Sequence, residues 1–296
     1  MARILFYCCA ALTVLRAQQG VAENATQRVS DHVHAIVGFP NVAIVAGARA
    51  TLVVDTGMGP RNGAVIVREL AKLPKTPALY ITTTHFHPEH ATGDQAFPPG
   101  AILVRNTRQQ EEMDRRGQEY IDLFSSRSAQ NKELLADVKL RAPDVVFDRE
   151  LRLDLGGVTA RLFWIGPAHT QGDLLIWVEQ DRTLISGDIV QNRLVPNFPN
   201  EDASVKGWLE VLDRLAPLNP RYVIPDHGAL GDGSLIAKQR GFMLDVQARA
   251  LALKRQGTGA EEAGKALQVE IKARYPDWEN LNPLANFVRR IYAEAQ

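Results

Sequence analysis

The sequence predicts an α/β chain in which two series of strands carry helices on their outer side. Three observations lead there. Short apolar and β-branched runs alternate with amphipathic stretches over most of the chain. Gly- or Pro-bearing turns separate them. Five of the seven histidines follow strand-like runs directly, and strand ends at one sheet edge are a common place for α/β active sites.

The elements follow in order. Met1-Ala2-Arg3 gives a short basic start, residues 4–15 are apolar but too few to span a bilayer, and Ala17 is a small residue ahead of Gln18. This reads as a secretory signal peptide over residues 1–17, cleaved after Ala17, although Arg16 beside the cut is atypical. A periplasmic or secreted protein is expected, with no stable membrane anchor after cleavage. Cys8 and Cys9 are the two cysteines and both lie in this segment. The mature chain would then have neither disulfide nor thiolate ligand.

Residues 29–37, 41–46 and 50–54 read as strands joined by short turns. Residues 63–73 read as a helix with Val65, Val67, Leu70 and Leu73 roughly on one side. Residues 78–84 are apolar and then β-branched, as in a buried strand. A short strand is expected at 101–104. Residues 107–136, rich in Gln, Glu, Arg and Leu, read as one or two helices placed to overhang the site. A second strand series comprises 145–147, 151–153, 158–165, 173–178 and 183–186. An amphipathic helix at 204–215 and a buried strand at 222–224 follow. From Ser234 onward the chain is mostly helical, an extension (234–296) to a domain over 18–233.

Composition narrows the function. The formal net charge is zero, which leaves no electrostatic footprint for nucleic acid. With 45% hydrophobic residues the chain can fill a sizeable core. The expected partner is a small-molecule substrate; the oligomeric state is not legible.

The chemistry concentrates in Thr82-Thr83-Thr84-His85-Phe86-His87-Pro88-Glu89-His90. His85 and His87 sit two residues apart, so their rings share a face while the chain stays extended. Pro88 disfavours helix at His87 and suits a turn there. Glu89 and His90 then project from that turn or from the helix start behind it. His169 in Gly166-Pro167-Ala168-His169-Thr170, Asp188 in Ile185-Ser186-Gly187-Asp188 and His227 in Ile224-Pro225-Asp226-His227-Gly228 stand in similar places. Imidazole nitrogen and carboxylate oxygen are the usual ligands of Zn²⁺ and related divalent ions. His32 and His34, alternating in a strand-like run, read instead as ordinary satisfied histidines. Phe86 and Phe198 fit pocket lining and apolar packing equally.

From about Val29 to the region around Gly228 the chain resembles the metallo-β-lactamase fold superfamily of metallohydrolases. The signature there is H-x-H-x-D-H followed by a distant His, an Asp or Cys, and a final His. The resemblance implies a four-layer αβ/βα sandwich with the metals at one edge between the sheets, here with a helical C-terminal extension. It implies that His85, His87 and His169 bind one ion, that Glu89, His90 and His227 bind another, and that Asp188 bridges both. Residues Val53-Val54-Asp55-Thr56-Gly57 match the family's early strand and turn, whose Asp55 would lie beneath the metals and hold a ligand His. Two divalent ions are implied, zinc first, with iron or manganese as alternatives.

One departure stands out: Glu89 occupies the position where the family has Asp. Its extra methylene requires an adjusted loop or rotamer to reach the second metal. Asp188, not Cys, at the bridging position resembles the family's hydrolases of esters, thioesters, lactones and phosphodiesters. The expected activity is hydrolysis by a metal-activated water, with Glu89 or Asp188 as proton shuttle, of an acyl or ester-like bond first and a phosphodiester next. Arg193 is a candidate contact for an anionic substrate group. Two rivals remain: a mononuclear iron dioxygenase of sulfur compounds, and a metal-binding accessory protein of a periplasmic redox system.

Overall fold

The computed structural model describes residues 20–199 and 201–295; the expected signal peptide lies outside them. Two sheets form the centre. The first has seven strands in sequence order: β1 Thr26–Arg28, β2 Val33–Ile36, β3 Val42–Ala46, β4 Ala50–Val54, β5 Ala78–Thr82, β6 Ile102–Asn106 and β7 Val145–Phe147. Pairing is antiparallel from β1 to β4 and parallel from β4 to β7. The second has five, β8 Glu150–Asp154, β9 Thr159–Phe163, β10 Leu175–Val178, β11 Thr183–Gly187 and β12 Tyr222–Pro225, in the order β12-β11-β10-β9-β8. Only its β11–β12 pair is parallel.

Strand alternation sorts the side chains into layers. Ala43, Val45, Leu52 and Val54 from the first sheet meet Leu162, Ile176, Ile185 and Ile224 from the second in the middle core. Val42, Ile44 and Val53 face the other way, onto Ile66 of α1 (Gly59–Leu70). On the opposite flank Leu175, Trp177, Leu184 and Val223 pack under the helices that follow. Helix, sheet, sheet, helix is the expected sandwich.

Two expectations are corrected. Residues 145–147 do not join the second strand series; β7 pairs parallel with β6, Val104 opposite Val145. A parallel partner needs a long crossover, and α3 (Thr107–Arg127) and α4 (Ala129–Leu135) supply it. Helix α1 begins at Gly59, not at residue 63, because Pro60 in its first turn has the required φ and needs no N–H donor there. The short polar strand β1 was also not anticipated, since Thr-Gln-Arg at a sheet edge carries no apolar pattern.

The C-terminal helices α6 (Ser234–Arg255), α7 (Ala260–Arg274) and α8 (Leu284–Glu294) lie with α5 (Val205–Leu215) on the second sheet. Phe242, Met243, Leu267, Phe287 and Ile291 share one apolar cluster with Trp208, Leu212 and Trp177. No helix among the described residues is long and apolar enough to cross a membrane.

Candidate metal centre

After β5 the chain bends through Thr84 to His87, and the extended backbone of His87, with ψ of 147°, leads into the one-turn helix α2, Pro88–Ala91. Pro88 opens that helix, as its fixed φ favours. His85 and His87 therefore project from the bend after β5, while Glu89 and His90 project from the first helical turn. His169 comes from the β9–β10 loop, Asp188 follows β11, and His227 follows β12. All seven are buried. Gly187 allows the turn into Asp188: its φ is +58°, and a Cβ there would stand 2.9 Å from the Thr84 Cβ.

The side chains gather in two trios. In the first, His85 Nε2 lies 3.0 Å and His169 Nε2 3.2 Å from His87 Nδ1. A tetrahedral Zn²⁺ shell with Zn–N near 2.0–2.1 Å would set its nitrogens about 3.3 Å apart. In the second, Glu89, His90 and His227 each offer an atom within 4.8 Å of the others. Asp188 lies between the two trios, with Oδ2 3.4 Å from His169 Nε2 and Oδ1 3.3 Å from His227 Nε2.

Hydrogen bonds settle which ring nitrogens face inward. His169 Nδ1 donates to the Asn197 carbonyl at 2.8 Å, leaving the Nε2 lone pair free. Thr84 Oγ1 donates to Asp226 Oδ2 at 2.7 Å, so it accepts from His85 Nδ1 at 3.1 Å and frees His85 Nε2. His90 Nδ1 faces Asp55 Oδ2 at 3.2 Å and Asp226 Oδ2 at 3.3 Å. Orienting a ring through its second nitrogen is the usual support of a metal ligand. His90 Nε2, Glu89 Oε2 and Asp188 Oδ1 are buried without a hydrogen-bond partner among the described residues. Buried polar atoms are costly to leave unpaired, and a cation in each trio would satisfy them; the donor set fits.

The electrostatics agree. Burial, then the neighbouring histidines, drives His85 and His87 well below the usual imidazole range, keeping them neutral and able to ligate. Burial raises Glu89. Burial also opposes charge on Asp188, but His227, His169 and His90 hold its carboxyl low. Burial, then Asp55, pushes Asp226 up to about 7. Burial disfavours charge on His90 too, yet Asp55 and Asp226 outweigh it and raise that ring. A third grouping, His85, His90 and Asp226, is geometrically able to hold an ion, but the Thr84 and His90 hydrogen bonds already occupy Asp226.

The structure therefore brings together every residue of the expected ligand set, Glu89 included, and places Asp55 where it also takes the Thr84 N–H at 2.7 Å. Arg193 does not join them. It is half exposed, 3.8 Å from Asp277, and lines a separate cleft of about 640 Å³ with Lys238, Phe242 and Trp278. His32 is paired with Asp181 at 2.7 Å, Phe86 packs on Tyr120, and Phe198 stacks on Phe287.

Four further residues shape the site. Asp226 stood in the quoted motif without a role, because no spacing rule singles it out. Glu112 is buried and accepts the N–H groups of Gln171 and Gly172, both at 2.9 Å, pinning the His169 loop. Asp173 caps the same loop through Ala168 N, Thr170 N and Thr170 Oγ1. Glu112 shares the α3 face of Met113, Tyr120 and Phe124, and that helical spacing was the available signal. Asn41 braces the His227 loop by donating to Pro225 O and Gly228 O at 2.8 and 2.9 Å.

A family model described as the metallo-beta-lactamase superfamily matches residues 35–227. A metallo-beta-lactamase type 2 from Bacteroides fragilis is 26% identical over 199 residues, spanning 61% of this chain and 74% of that protein. A linear primary-alkylsulfatase from Pseudomonas sp. (strain ATCC 19151) is 23% identical over 217 residues, 62% of this chain but only 40% of the sulfatase. Among solved structures, a metallo-beta-lactamase from Pontibacter korlensis superposes with a TM-score of 0.60 at 21% identity, covering 74% of this chain and 98% of its own. A sec-alkylsulfatase from Pseudomonas sp. reaches 0.68 at 17% identity, covering 91% of this chain and 50% of its own. With a family match over the segment that holds both trios, the chain belongs to the metallo-beta-lactamase superfamily.

Proposed function

We propose that this protein is a metal-dependent hydrolase of ester-like bonds that works with two divalent ions, zinc first. His85, His87 and His169 would hold one ion; Glu89, His90 and His227 would hold the other; Asp188 would serve both. The observation that carries this reading is the pair of trios with bare, buried ligand atoms and one carboxylate between them. The chemistry Zn²⁺ supplies in such a site is a water acidic enough to lose its proton near neutral pH and a Lewis acid for the scissile group.

The chain's own residues do the rest. Glu89 or Asp188, as carboxylates beside the ions, would shuttle the proton to a leaving group. Asp55 and Asp226 keep the His90 ring turned inward. Acyl bonds such as β-lactam, lactone or thioester are the first substrate class. Phosphodiesters and sulfate esters follow, the latter favoured by the alkylsulfatase relative. We also infer export, with the mature chain starting near Gln18.

The test is metal analysis of purified protein followed by turnover of a panel covering those bonds, before and after chelation. Close to two zinc equivalents and chelation-sensitive hydrolysis are expected. One tightly bound iron with oxygen consumption would replace this reading by the dioxygenase. Retained metal without hydrolysis would replace it by the accessory protein.

A further inference from the structure

Helix α3 covers the His87 side of the metal centre. Tyr120 stacks flat on the His87 ring, with centroids 4.7 Å apart and an interplanar angle of 11°. One turn on, Phe124 stands 6.1 Å from the same ring. The Arg127 guanidinium lies over Phe124 at 3.6 Å. These two short steps place a cation at the rim of the centre, at a separation a small substrate spans.

The cations of this helix differ in what they already do. Arg116 lies over Tyr120 but is tied to Asp202 at 2.7 Å and Glu119 at 2.9 Å. Arg127 is exposed and makes no ion pair among the described residues. Phe124 holds its guanidinium by the ring face, leaving the N–H edges open to solvent. A planar guanidinium suits two-point contact with a carboxylate or another oxyanion.

We propose that Arg127 is the anion anchor of this site, and that the substrate carries a carboxylate or similar oxyanion a few bonds from the bond that is cleaved. The proposal rests on the hydrolase reading for the cleavage but not for the binding. It moves the anion contact from Arg193, whose neighbour is Asp277, to helix α3 on the His87 side of the centre.

The test uses metal-loaded full-length protein and two readouts. Glutarate and butyrate, which differ by the second carboxylate alone, are titrated calorimetrically. The para-nitrophenyl ester of butyrate and the mono-para-nitrophenyl ester of glutarate are compared as substrates. The parent should favour the dicarboxylate by about tenfold, the worth of one charge-assisted contact. Arg127→Met should abolish that preference in binding and in the kcat/KM ratio, and Arg127→Lys should keep part of it. A parent without preference, or Arg127→Met with the parent's preference, overturns the anchor. Lost binding preference with neither ester cleaved supports the anchor and sinks the hydrolase reading; cleavage of both with unchanged preference does the reverse.

Discussion

Glu89 shows how a single methylene is absorbed. Helix α2 starts at Pro88, and its first turn delivers the Glu89 carboxylate to His90 and His227, leaving Oε2 bare. Glu89→Asp would retract that carboxylate by about one carbon–carbon bond, in a coordination shell whose distances hold within roughly 0.2 Å. Lower occupancy of the second site and slower turnover are expected, with the first site kept. Glu89→Gln keeps the length but removes the charge, so it should also weaken the second site and end any proton transfer. Metal stoichiometry and turnover of both variants check this; two metals at parental rates in both would remove Glu89 from the site. His87→Ala takes the nitrogen common to both short contacts of the first trio and should abolish metal-dependent hydrolysis.

At the scale of elements, the His169 loop depends on α3. Burial pushes Glu112 up to about 8, even though Gln171 and Gly172 donate to its carboxylate. An unfolded Glu releases its proton near 4.5. Between those values the folded chain holds a proton that the unfolded chain has lost. The stability from this group is therefore complete below about pH 4.5, falls as pH rises, and is gone above about 8. Glu112→Gln cannot titrate. The parent's Tm minus the variant's should fall across that window, because contributions from other groups cancel in the difference. A flat difference would mean that Glu112 stays ionised. The sequence showed α3 as a polar helix over the site; it could not show that a carboxylate on its inner face reaches the His169 loop, because that contact joins residues far apart in the chain.

For the whole molecule, the C-terminal helices and the second sheet form one core. Trp208 of α5 shares it with Phe242, Phe287 and Ile291. Each large apolar side chain stripped of its cover costs about 1.5–3 kcal/mol, and small domains have only about 5–15 kcal/mol in total. Ending the chain after Gly233 should therefore give no soluble product with a cooperative unfolding transition, and a monomeric, sharply melting fragment would refute it. N-terminal sequencing of exported protein should find Gln18 or a residue beside it at the start; retention of Met1 would refute cleavage.

The sequence by itself determined what is local. His85, His87, Glu89 and His90 sit within one strand-to-helix passage, and backbone geometry alone brings such neighbours together. The apolar runs of residues 41–46 and 50–54 likewise marked two buried strands. The order of motifs, through the family they resemble, supplied His169, Asp188 and His227. The tertiary structure decided what depends on distant pairing. It placed β7 on the first sheet, because a three-residue strand has too little pattern to choose its neighbour. It set Asp226 beside Asp55 and His90, Glu112 under the His169 loop, and Arg193 away from the centre while Arg127 stands at its rim. A charged side chain reads alike in sequence whether it faces water, a partner or a buried ring; only the packing of separate elements settles which.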